Sequence, residues 1–231
     1  MLMLKQVSYT DQDITFFVQV FEEGDYAVQQ VIRIRAMYPK ARIIVRSDGG
    51  SFVGADWSSV GVEFYAEERL FTAQSGGSSV HRMLELYAAR PSTYLIKVDP
   101  DSAFHRRLAF FPAADGLFGS LQESGGCRSV QGGFLGMTRT AAMEILSSKL
   151  LDSHALRAPS PESAGYLGIL GRRAKRIGLA SFDWSLGWCA SNLRIAMTDF
   201  SEVNCQWLEP PANPNAKFAV THPDPDRPDR P

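Results

Sequence analysis

Thr93-Tyr94-Leu95-Ile96-Lys97-Val98-Asp99-Pro100-Asp101 sets the fold class. A short, mainly apolar run ends abruptly in two carboxylates two positions apart. Such a run, bounded by turn residues, is the pattern of a strand buried on both faces. Before it, Gly76-Gly77-Ser78-Ser79 opens a helix over residues 80–89, with Met83, Leu84 and Tyr87 on one face. Further back, residues 60–66 read as a strand. Arg42-Ile43-Ile44-Val45-Arg46 is a shorter one, ending at Ser47-Asp48-Gly49-Gly50. A helix carries Tyr26, Val28, Val31, Ile32, Ile34 and Met37 and stops at Tyr38-Pro39-Lys40. The first strand alternates Ile14, Phe16, Val18 and Val20. Strands separated by helices predict an α/β fold with a mostly parallel central sheet and helices on both faces. Ligands of such sheets bind off the carboxyl ends of the strands. Glu22 with Glu23, Asp48, and Asp99 with Asp101 all fall at such ends.

Composition narrows the class. The chain has 231 residues, 45% of them hydrophobic and 21% charged, which excludes disordered, collagen-like and coiled-coil chains. Lys and Arg total 24 against 25 Asp and Glu, so no basic excess suggests nucleic acid as a partner. No apolar run reaches the ~20 residues that span a bilayer, and Met1-Leu2-Met3-Leu4 before Lys5 is too short for a signal-peptide core. The expectation is a protein with no integral membrane segment and a cytoplasmic location. Cys127, Cys189 and Cys205, odd in number and widely spaced, argue against a disulfide framework. Seven of the 13 prolines lie in residues 210–231, which read as a Pro-rich segment ending in a flexible tail, although residues 216–221 still carry a structured pattern. The folded domain is expected over residues 1–209, with its halves meeting near residues 101 and 102.

Asp99-Pro100-Asp101 has two readings. Asp-Pro-Asp is ordinary turn chemistry. Alternatively, two adjacent carboxylates repel each other unless a cation neutralises them, and a hard divalent ion with oxygen ligands does so.

Some thirty residues on come Val130-Gln131-Gly132-Gly133-Phe134 and then a helix over residues 141–146. This ordered set, over roughly residues 14–180, resembles the GT-A nucleotide-sugar glycosyltransferases, family 2-like. The resemblance implies a single GT-A domain whose first strand and helix bind the nucleotide. Arg46-Ser47-Asp48-Gly49-Gly50-Ser51 is similar to the family's Asp-Asp-Gly-Ser turn, with Ser47 at the first acidic position and Asp48 in the base- or ribose-contacting role. Asp99 and Asp101 look like the metal-binding Asp-x-Asp. Gln131-Gly132-Gly133-Phe134 resembles the loop near donor sugar and acceptor. Glu162 matches the first member of the family's Glu-Asp pair at a helix start, with Ser163 where the second stands. His222 resembles the late histidine that completes some of these metal sites.

The resemblance therefore implies a metal-dependent transfer of sugar from a nucleoside diphosphate sugar, with UDP-sugar the expected donor, to an acceptor that is a saccharide, lipid-linked sugar or protein. Mn²⁺ or Mg²⁺ is the implied cofactor. Asp99, Asp101 and His222 are the implied metal ligands. Gln19, Val20, Glu22, Asp48, Gly77, Asp99, Gly132 and Gly133 are the implied nucleotide-sugar contacts, and Glu162 the catalytic base. Glu162 also suits plain first-turn helix chemistry, and Gly77 suits a plain helix start. Asp115 and Glu144 are spare carboxylates. The rival readings are a nucleotidyltransferase of related fold and an inactive nucleotide- or sugar-binding protein; the missing acid at Ser163 keeps the latter open.

Overall fold

The computed structural model describes residues 6–20, 24–49, 57, 59–68, 76–124, 127–153, 156, 181–205 and 218–222. In chain order these form β1 (Gln6–Val7), β2 (Ile14–Val20), α1 (Gly24–Met37), β3 (Arg42–Asp48), β4 (Glu63–Glu67), α2 (Gly76–Ala88), β5 (Tyr94–Val98), β6 (Ala103–Phe104), β7 (Phe111–Pro112), β8 (Gly116–Ser124), β9 (Cys127–Thr138), α3 (Arg139–Ser147), α4 (Phe182–Leu193), β10 (Ala196–Asp199), β11 (Val203–Cys205) and β12 (Val220–His222).

Seven strands make the central sheet in the order β10-β8-β9-β5-β2-β3-β4. The pairs β2–β3, β2–β5, β3–β4 and β8–β10 are parallel, while β9 runs antiparallel to both β5 and β8. The sheet is thus mixed, with a parallel half where the helix–strand alternation was legible. β2 and β5 are buried because each face is covered. Phe16 and Val18 pack with Val31 and Ile34 of α1. Phe17 and Leu95 pack with Met83 and Leu84 of α2 and Leu186 of α4. Each such side chain contributes about 1.5–3 kcal/mol on burial.

Three expectations need correction. β4 begins at Glu63, not residue 60, because Gly61 turns there with φ +65° and its carbonyl accepts from Arg35 Nη2 at 2.7 Å. The Gly132-Gly133 segment is part of β9, not a loop between elements. It forms a bulge: from Val130 to Leu135 the chain advances five residues while β8 advances two, from Leu121 to Gly119. The folded part also extends beyond residue 209, because β12 is the middle strand of a small sheet ordered β11-β12-β6.

Cys189 and Cys205 are buried free thiols, and burial pushes that of Cys189 up to about 12. Among the described residues, no helix is long and apolar enough to cross a membrane.

Candidate metal centre

From β2 the chain moves outward through β3 to β4, then returns across α2 to place β5 on the other side of β2. The direction of winding reverses between β2 and β5. In an open α/β sheet that reversal opens a crevice at the carboxyl ends of the two strands. β5 delivers Asp99 and Asp101 to this point.

The turn after β5 is pinned to β9. Asp99 N donates to Gly133 O at 3.2 Å, Ser102 Oγ donates to the same carbonyl at 2.6 Å, and Ser102 N closes the turn on Asp99 O at 3.1 Å. The chain then enters β6, which pairs antiparallel with β12 in the register Thr221↔Ala103. One step further along that ladder, His222 comes beside the Asp99–Asp101 turn. His105 reinforces the register: its N–H donates to Ala219 O, and its Nε2 shares a hydrogen bond with Thr221 Oγ1, both at 2.9 Å.

Gly133 makes the approach possible. A Cβ there would lie 2.1 Å from His222 Cγ and 2.2 Å from its Nδ1.

His222 Nε2 lies 3.0 Å from Asp101 Oδ1 and 3.6 Å from Asp99 Oδ2, and one ligand atom from each residue falls within 4.8 Å of the others. As a donor, Nε2–H hydrogen-bonds Asp101. In the tautomer with its hydrogen on Nδ1, Nε2 and both carboxylates present lone pairs to one point. Two carboxylates and an imidazole suit Mn²⁺ well and Mg²⁺ less, since imidazole favours transition metals. Neighbouring ligands of an ion bound at about 2.1 Å stand about 3 Å apart in octahedral geometry, so the two separations from the imidazole to the carboxylates fit with small adjustment. The imidazole is buried and the two carboxylates are partly exposed, at 29% and 17%. Under the site lies the Cys205 thiol, pushed well above its ordinary range by burial and then by the negative charge of Asp99.

The other expected contacts divide. Gln19, at the carboxyl end of β2, accepts from Ser79 Oγ at 2.9 Å. The Val20 side chain is buried in the core, leaving only its backbone to offer. Asp48 is buried beside Arg46, whose Nη2 donates to it at 3.1 Å while Nε holds Glu67 at 2.7 Å. Burial would raise the Glu67 carboxyl, but hydrogen bonds from Arg82 and Arg46 outweigh it and hold that group below its ordinary value.

Gly77 serves packing: its N–H is given to Leu156 O at 3.0 Å, and a Cβ would fall 2.6 Å from Leu156. Its amide is therefore not offered to a phosphate. Gly132 gives its carbonyl to Lys97 Nζ at 2.6 Å. Glu22 and Glu162 lie outside the described residues, as does the expected helix over residues 164–177.

Of the spare carboxylates, Asp115 borders a cavity with Thr93 and Tyr94 at the amino end of β5, away from Asp99. Glu144 is exposed on α3. Arg106 and Arg107 are engaged by Glu202 and Asp11. A cavity of about 1000 Å³, lined by Thr15, Arg42 and Ser92 among others, also opens at the amino ends of the strands.

Two side chains join the site that sequence reading did not assign to it. Lys97, buried on β5, pairs with Asp99 Oδ1. Asp183, in the first turn of α4, accepts from Gln122 Nε2 at 2.8 Å and from Ser181 Oγ at 3.2 Å. A Cβ on Gly132 would lie 3.4 Å from Lys97 Nζ and 3.8 Å from Asp183 Cγ, so both flank the bulge. The signal for Asp183 was the one used for Glu162, an acid at a helix start.

No protein-family model and no curated protein matches the chain.

Proposed function

We propose that the chain is a metal-dependent glycosyltransferase, taking a nucleoside diphosphate sugar and passing the sugar to an acceptor hydroxyl. The observation that carries this reading is His222 folded onto Asp99 and Asp101 at the reversal between β2 and β5. A turn of ordinary Asp-Pro-Asp chemistry gives no reason for a buried imidazole from a distant strand to sit there. Asp99, Asp101 and His222 are the residues that would hold Mn²⁺ or Mg²⁺. When bound, such an ion neutralises charge on a departing diphosphate.

The remaining roles belong to the protein. Gln19 and Asp48, at the carboxyl ends of β2 and β3, are assigned to the nucleoside. Asp183 is assigned to the acceptor, the role that the resemblance gives to Glu162. Its carboxylate, oriented by Gln122 and Ser181, takes the hydroxyl proton as the new sugar–oxygen bond forms and the bond to phosphate breaks. The carboxylate lies beside the Gly132 bulge.

The test is thermal unfolding with Mn²⁺ and a panel of nucleoside diphosphates, followed by release of free sugar from nucleotide sugars. A Mn²⁺-dependent rise in Tm with one diphosphate, UDP being the first choice, together with slow sugar release, supports the reading. A Tm that no diphosphate raises in Mn²⁺ refutes it. Binding without sugar release favours instead a binding protein that does not turn over.

A further inference from the structure

We propose that Lys97 weakens capture of a bare cation by Asp99, Asp101 and His222 and strengthens binding of a diphosphate at the same point. This rests on the transferase reading above and concerns the charge balance between its two ligands.

Lys97 stands where the strand pattern calls for an apolar side chain. It faces Phe17 of β2 and Leu135 of β9 in register, and its side chain is only 6% exposed. Burying an ammonium is unfavourable unless its donors are used. Here one donor goes to Asp99 Oδ1 and another to Gly132 O at 2.6 Å, and the Phe182 ring lies 5.3 Å away. Cation–π attraction adds to these contacts. The charge is thus fixed from several sides and cannot swing away as a surface lysine would.

Two consequences follow for a cation. Asp99 Oδ1 is committed to Lys97, which leaves Oδ2 to face His222. The local charge also falls from two negative to one, because Lys97 cancels one carboxylate. A divalent ion therefore meets half the attraction that two free carboxylates would give, and a like charge nearby. A diphosphate reverses the sign, since its oxygens are attracted to the ammonium as well as to the ion. One residue thus opposes the first ligand and favours the second. A lysine that merely fills space predicts no such opposition.

The experiment titrates Mn²⁺ into the wild-type chain by electron paramagnetic resonance, without and with UDP, and repeats both titrations on Lys97→Met and Lys97→Gln after circular dichroism has confirmed folding. Loss of one short charge contact is expected to tighten bare Mn²⁺ binding roughly tenfold and weaken UDP binding in Mn²⁺ by a similar factor. Bare Mn²⁺ binding that is unchanged or weaker in the variants, with UDP still bound by the wild type, overturns this inference alone. Absence of UDP binding by the wild type in Mn²⁺ overturns the transferase reading and this inference with it. Should neither variant fold, the wild-type arm still tests the proposal: bare Mn²⁺ bound as tightly as Mn²⁺ with UDP overturns it.

Discussion

His222 Nε2 sits 3.0 Å from Asp101 Oδ1 although 121 positions separate the two residues in sequence. The pairing of β12 with β6 carries one to the other, and the missing side chain at Gly133 leaves room for the ring. The contact joins a turn that leaves the central sheet to a strand outside it.

Asp101→Asn removes the charge and keeps the shape. Mn²⁺ affinity should fall by at least about tenfold, since even changes behind the ligands of a metal site cost about 10–100-fold. Circular dichroism should be unchanged, because Asp101 is partly exposed. Calorimetric titration of Mn²⁺ checks the first expectation; affinity equal to that of the wild type removes Asp101 from the ligand set.

Gly133→Ala and Gly132→Ala should differ sharply despite being neighbours. At Gly133 the new methyl group would fall 2.1 Å from the imidazole, whereas at Gly132 it would meet Lys97 Nζ at 3.4 Å and Asp183 Cγ at 3.8 Å. Overpacking of the first kind costs about 1–3 kcal/mol. It should also displace His222, so Tm and Mn²⁺ affinity drop together. Gly132→Ala should stay close to wild type in stability. Equal Tm values for the two variants would contradict the assignment of Gly133 to clearance.

Asp183→Asn should leave Mn²⁺-dependent UDP binding intact and lower kcat of sugar transfer by about 10²–10⁴, the span of general base catalysis. A rise in KM with kcat preserved would instead make Asp183 a substrate-positioning residue.

Acid should weaken the fold through a specific set of carboxylates. Hydrogen bonds from Arg106 hold the Glu202 carboxyl below its ordinary value of 4.5 against the opposing effect of burial, and the Ala109 N–H adds to them. Glu63 is lowered in the same direction, chiefly by Arg42. A carboxylate whose folded pKa is depressed stabilises the protein fully above its unfolded pKa and loses that contribution as pH falls through the folded value. Urea midpoints should therefore be steady from about pH 7 down to about pH 5 and drop below about pH 4.5. Glu202→Gln should lower the neutral-pH midpoint and flatten the acid limb; an unaltered acid limb would count against the Arg106–Glu202 pair.

The parallel half of the sheet was legible because each element carries its own periodicity. β2 begins and ends where its alternating apolar residues do, and α1 stops at Tyr38-Pro39. β9 was not legible as one strand, because Gly132 and Gly133 read locally as a break, and only the ladders to β5 and β8 show that they are a bulge within a strand. The same limit applies at Gly77, where a helix-opening glycine suits a phosphate or a neighbouring chain equally until Leu156 is known to press on it. Within the site, the two acids announce themselves by spacing. Lys97 does not, since a lysine in an apolar run has no local sign of what its ammonium will meet. Asp183 carries the helix-start signature read at Glu162, and its place beside the Gly132 bulge is seen only in the structure.

β12 is three residues long, and the imidazole it carries is absent from the central sheet. A chain with the seven-stranded layer closed but this strand undocked from β6 would keep both acids and lack the third donor. On the proposed reading, chelation therefore depends on the small sheet as well as the large one, and loss of β12 docking alone should abolish it.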